Sequence, residues 1–146
     1  MNPAMRLVKP VAVAALVFGL SGLPAMAQFV VVVSAKNPMT TLSKNQVVDI
    51  FLGKATRFPN GEQVIPVDQP ESSPLRDEFY ASVAGKSTAQ MKAHWSKIIF
   101  TCRGQPPKEA ANDSETKKLL ANNPNAIGYI DTSDLDNSVK ALKISP

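Results

Sequence analysis

Phe29 to Ser34 reads FVVVVS, an unbroken β-branched run. Alternation of apolar and polar residues marks a strand with one wet face; a run of four valines requires cover on both faces. Strands of that kind sit inside α/β sheets, so the segments that follow must supply helices for both faces.

The spacing predicts them. Ser43 with Gln46 forms a capping box, Leu42 and Val47 a hydrophobic staple around it, and Val47, Ile50 and Phe51 a buried stripe that Gly53 ends. Arg57 to Gly61 (RFPNG) is turn chemistry, and Val64 to Val67 (VIPV) reads as a short strand interrupted by Pro66. Asp68 to Ser73 is a polar loop leaving that strand, and Pro74 fits the first position of a helix capped by Ser73. Leu75, Phe79 and Val83 face the core from this helix, and Gly85 stops it.

Thr88 caps a third helix, from Ala89 to about Ile99, with Met91, Trp95, Ile98 and Ile99 as core contacts. Thr101 to Lys108 (TCRGQPPK) is an irregular loop that crosses the surface or lines a cleft. A fourth helix, capped by Asp113 or Ser114, carries Leu119 and Leu120 and breaks at Asn122-Asn123-Pro124; Ala126 to Ile130 and Val139 to Ile144 close the sheet. The expected fold class is α/β, a sheet with helices on its faces, in a single domain over residues 28–146 with no internal repeat.

Ahead of that domain, residues 1–27 have the three parts of an export signal. Arg6 and Lys9 are the positive region, Val11 to Leu23 the apolar run, and Ala25-Met26-Ala27 the small-residue cleavage site. The apolar run is shorter than the ~20 residues a bilayer core takes, so cleavage before Gln28 is expected rather than anchoring. Losing Arg6 and Lys9 lowers the formal charge from +4 to +2. The remaining cations are scattered without interleaved aromatics, which argues against nucleic acid as a partner.

Chemistry is sparse. Cys102 is the only cysteine, so no internal disulfide forms; burial beside Ile98, Ile99 and Phe100 is the expectation, a reactive thiol the alternative. His94 is the sole histidine, and a serine relay needs it beside Ser72 or Ser73, with no G-x-S-x-G elbow to help. One His and one Cys make no preorganised metal site, and Asp131, Asp134 and Asp136 lack EF-hand spacing. The reading is a non-enzyme with no metal and no cofactor.

The informative feature is the Ser72-Ser73-Pro74 turn. Ligands in open α/β sheets bind beyond the carboxyl ends of strands, where helix starts present unpaired N–H groups and partial positive charge. Ser72 and Ser73 add hydroxyls, Arg76 lies in the first turn, and Arg57 precedes the neighbouring strand. A guanidinium meets an oxyanion with two parallel hydrogen bonds. Without a ligand, the same residues read as an ordinary serine cap and a solvated arginine.

The order Leu42-Ser43-x-x-Gln46-x-x-x-Ile50-Phe51-x-Gly53, then Pro59-Asn60-Gly61 and Val64-Ile65-Pro66-Val67, then Ser72-Ser73-x-x-Arg76-x-x-Phe79, and last Asn125-Ala126-Ile127-Gly128-Tyr129 resembles the phosphate-type (type 2) periplasmic solute-binding proteins. The resemblance implies one lobe of that fold in the periplasm, phosphate or a similar oxyanion at Ser72, Ser73, Arg76 and Arg57, and ABC transporter membrane subunits as partners. Pro74 and Leu75 depart from the family's S-G-T turn, removing a backbone donor and a hydroxyl. Ser34-Ala35-Lys36-Asn37, nearest to the family's other ligand turn, lacks its glycine. The chain thus resembles a shortened, stand-alone member. One lobe supplies half a cage, so two copies face each other, a partner closes the site, or the anion is held exposed. The other expectation is a ligand-free interaction module acting through protein contacts in the cell envelope.

Overall fold

A computed structural model describes residues 28–146; the expected signal peptide, residues 1–27, lies outside the described residues. β1 (Phe29–Ser34) is the FVVVVS run. Its side chains alternate, Val31 and Val33 entering one core and Val32 the other, with none of the three above 2% exposure.

Five strands make the main sheet: β1, β3 (Ile65–Asp68), β4 (Lys108–Glu109), β5 (Ala126–Asp131) and β6 (Val139–Ala141), in the order β4-β3-β5-β1-β6. β3 is parallel to β4 and β5, whereas β1 runs antiparallel to β5 and β6. Three strands therefore finish at one edge of the sheet, where β1 begins with Phe29 opposite Asp131. A second, two-stranded sheet pairs β2 (Thr41–Ser43) with β7 (Lys143–Ser145) in parallel.

Helices α1 (Lys44–Phe51), α2 (Pro74–Ala84) and α3 (Thr88–Phe100) cover one face and α4 (Asp113–Asn122) the other. On the first face the Phe79 and Tyr129 rings stack at 4.0 Å, with Phe29 and Phe51 edge-on to Phe79. On the second, α4 packs so closely that a Cβ at Gly128 would meet Thr116 Cγ2 at 3.0 Å. Among the described residues no helix is long and apolar enough to cross a membrane.

The expected fold class and helices are present, with local differences. The Ser43–Gln46 capping box and the Ser73 cap with Pro74 behind it form as read. The cap of α3 is Ser87, boxed with Gln90, not Thr88, and that of α4 is Asn112, not Asp113 or Ser114. Pro66 is tolerated inside the sheet because β4 pairs only with Val67 and Asp68, leaving no ladder partner beside it on that side. The last expected strand splits, β6 joining the main sheet and β7 leaving for β2. Cys102 is exposed, contrary to its expected burial, as are Ile99 and Phe100 at 53% and 88%. Met91, Trp95 and Ile98 follow one helical face inward; Ile99 and Phe100 are rotated by one and two residue steps, ~100° each, away from it.

Candidate functional site

Two helices start at the edge where the parallel strands end. β3 runs into Gln69 and the Ser72-Ser73 turn that opens α2; three residues beyond β4, Asn112 caps α4; β5 ends at Asp131. Between them lies a cavity of about 490 Å³ lined by Gln69, Ser72, Ser73, Asn112, Asp113 and Lys117, among others. A neighbouring hollow of about 400 Å³ extends it along Gln28, Leu75 and Asp131.

The first N–H groups of a helix have no intrahelical acceptor. In α2, Pro74 has no N–H and Arg76 N donates to Ser73 Oγ at 3.3 Å, which leaves the Leu75 N–H. In α4, Glu115 N donates to Asn112 Oδ1 at 2.9 Å, leaving those of Asp113 and Ser114. Asp113 and Ser114 thus bring their amides to the cavity and Leu75 brings its own to the adjoining hollow, where the positive ends of the two helices meet.

Gln69 ties the two starts together. Its side-chain oxygen accepts from the Ser73 hydroxyl at 2.6 Å, and its amide donates to Asp113 Oδ1 at 2.7 Å and to the Tyr129 carbonyl at 3.2 Å. Behind it, the buried Asp68 carboxylate accepts from Tyr80 at 2.6 Å, from Tyr129, and from Gln69 N at 2.8 Å. Burial first, and the Asp68 charge second, push both phenols far above their ordinary value, so they stay protonated donors.

The groove holds charge of both signs. Burial raises the Asp113 carboxyl above the ordinary carboxylate range and Asp134 adds to the rise, while the Asp131 N–H and Gln69 restrain it. On the rim, Lys117 donates to the Asp134 carbonyl at 3.0 Å and to Asp136 at 2.8 Å; that bond raises the ammonium and holds Asp136 well below the usual range.

The structure brings together only part of the expected set. Ser72 and Ser73 line the groove. Arg76 does not: it is buried, its Nε 3.5 Å from Asp68 Oδ1 and its guanidinium over the Tyr80 ring at 5.1 Å. Residues four apart share a helix face, so the position that puts Tyr80 in the core takes Arg76 with it. Arg57 sits beyond the opposite end of β3, where it donates to the Gly61 carbonyl at 2.9 Å and pairs with Gln63. Neither arginine is a charge partner of the serine turn. His94 is also elsewhere, its Nε2 2.9 Å from the Leu52 carbonyl in a separate cavity, so the residues of a serine relay are not assembled. Gln69, Asp113 and Lys117 were missed. β4 is two residues long, too short to announce that the start of α4 shares an edge with that of α2.

No protein-family model matches this chain, and no curated protein matches it. Solved structures do. An ABC-type phosphate transport receptor from Vibrio cholerae superposes with a TM-score of 0.64 at 23% identity, covering 82% of this chain and 48% of its own. A substrate-binding protein assigned to phosphate ABC transport from Clostridium perfringens, solved with bound phosphate, gives 0.63 at 24%, covering 80% and 44%. PstS from Borrelia burgdorferi gives 0.61 at 11%, covering 80% and 47%. The chain spans less than half the length of each. These superpositions show that the described domain has the fold of one lobe of the phosphate-type substrate-binding proteins.

Proposed function

We propose that this protein is an exported, non-enzymatic solute-binding domain that takes an oxyanion, phosphate first, in the groove between the starts of α2 and α4. The observation that carries this reading is that two helix starts meet at one end of the sheet: Ser72, Ser73, Asp113 and Ser114 line the cavity, and Leu75 lines the hollow that adjoins it. Two helix starts offer more than capping requires, and an anion is the ligand that unpaired amides select.

Phosphate is strongly hydrated, and holding it takes a donor for nearly every oxygen. The groove provides donors on one side only. A second copy facing the first, or a membrane subunit of an ABC transporter docked on the groove, closes the cage. Residues 1–27 act as the export signal, and the periplasm is the compartment that fits both the signal and such a partner.

Calorimetry with phosphate and with sulfate tests the reading on the native protein and on Ser73→Ala. Saturable heat that weakens in the variant supports it. No heat at about 10 mM of either anion, where a Kd of 1 mM would be evident, leaves a ligand-free interaction module of the same fold.

A further inference from the structure

A second cavity, of about 430 Å³, lies between the end of α1 and the end of α3, on a different part of the molecule from the serine groove. Its wall is the loop after α3, residues 103–105, which the groove leaves without a role. The lining includes no carboxylate but two cations, Lys54 and Arg103, set beside Ile50, Leu52, Ile98 and Trp95. Trp95 is 7% exposed, and its indole Nε1 is buried with no hydrogen-bond partner, alone in that respect among the side chains of the described residues. The indole therefore offers the cavity its apolar ring rather than a free donor.

The negative ends of α1 and α3 border this cavity, and several of their carbonyls are already engaged. Asp49 O accepts from Lys54 N and Ala55 N, Ile50 O from Gly53 N, and Leu52 O from His94. In α3, Ile98 O accepts from Arg103 N and the Thr101 hydroxyl, and Ile99 O from Cys102 N. The charged side chains at the cavity are Lys54 and Arg103, neither of them in an ion pair among the described residues.

We propose that this cavity binds a small carboxylate with an apolar body, its charge toward Lys54 and Arg103 and its chain against Ile50, Ile98 and Trp95. This is a different ligand class from the hydrated oxyanion of the groove, since an apolar lining suits a hydrocarbon body that phosphate lacks.

Trp95 is the only tryptophan, so its emission reports on this cavity and on no other. Titration of the protein with butyrate, hexanoate and octanoate is expected to give a saturable emission change with at least one acid in the millimolar range. The matching amide, such as hexanamide, and inorganic phosphate give none. In Lys54→Gln/Arg103→Gln, two exposed positions whose replacement leaves the melting temperature unchanged, the apparent Kd rises by roughly tenfold or more. No saturable change with any of the three acids up to about 10 mM, an equal response to the amide, or unaltered affinity in the double variant overturns the proposal.

Discussion

The Ser73 hydroxyl donates to the Gln69 side-chain oxygen at 2.6 Å while accepting from Arg76 N at 3.3 Å. The serine that caps α2 is thus already held by its own protein, and Gln69 holds α4 through Asp113 with the same amide group. Ligand entry competes with an existing bond at Ser73 but not at the Leu75, Asp113 and Ser114 amides. Under the proposed function, Gln69 preorganises the groove and the anion is met mainly by backbone.

Gln69→Leu should therefore act on both stability and binding. It leaves the Ser73 hydroxyl without its acceptor and Asp113 Oδ1 without its donor, while Asp113 Oδ2 keeps the Asp131 N–H, at a cost of about 1–3 kcal/mol. Urea denaturation checks the first effect. The second is a weaker phosphate affinity as the two helix starts lose their tie, whereas a role confined to the core would leave affinity unchanged.

Tyr80 and Tyr129 give a pH signature. Both phenols have folded-state pKa values above the ordinary 10.0, so as pH rises the unfolded chain releases their protons first. Their contribution is complete below about pH 10 and is lost above it. Denaturation midpoints should fall between pH 9 and 11, roughly, and fall less steeply in Tyr80→Phe. Equal slopes in the two proteins would show that the phenols do not govern the alkaline limb.

Asp113 predicts the opposite direction for anion binding. Its raised carboxyl takes up a proton at higher pH than an ordinary carboxylate does, removing negative charge from the groove, whereas sulfate keeps its own charge throughout. Sulfate affinity should increase as pH is lowered from neutrality toward the ordinary carboxylate range in the native protein. Asp113→Asn should bind roughly fivefold tighter at neutral pH, as about 1 kcal/mol of screened repulsion implies, with a flat profile. Calorimetry at neutral pH and toward that range measures both.

What could be read in advance followed from local physics. The valine run, the Ser43 and Ser73 caps and the Phe79 face depend on neighbours within one turn or one strand, and they form as read. What could not be read depends on partners far along the chain. Nothing near Arg76 in sequence shows that Asp68 and Tyr80 will draw it inward, and nothing near Asn112 shows that its helix starts beside Ser73. Arg57 looked close because its loop precedes β3, yet β3 itself separates it from the groove.

Gly53 and Gly85 separate backbone strain from packing. Both have positive φ, +78° and +64°, but a Cβ at Gly53 would lie 2.8 Å from Trp95 Cη2, whereas one at Gly85 meets nothing within 4 Å. Gly85→Ala should cost ~1–2 kcal/mol from the left-handed backbone alone. Gly53→Ala adds ~1–3 kcal/mol of overpacking. Thermal denaturation of the two variants ranks them, and equal costs would mean that the indole moves aside freely.

The most direct test of the oxyanion reading is amide chemical shift under phosphate titration of the isotopically labelled protein. Leu75, Asp113 and Ser114 should shift together along one saturating curve, with Trp95 and its neighbours unmoved. Saturable binding that leaves those three amides in place, or no shift anywhere at about 10 mM phosphate, would contradict an anion seated between the two helix starts.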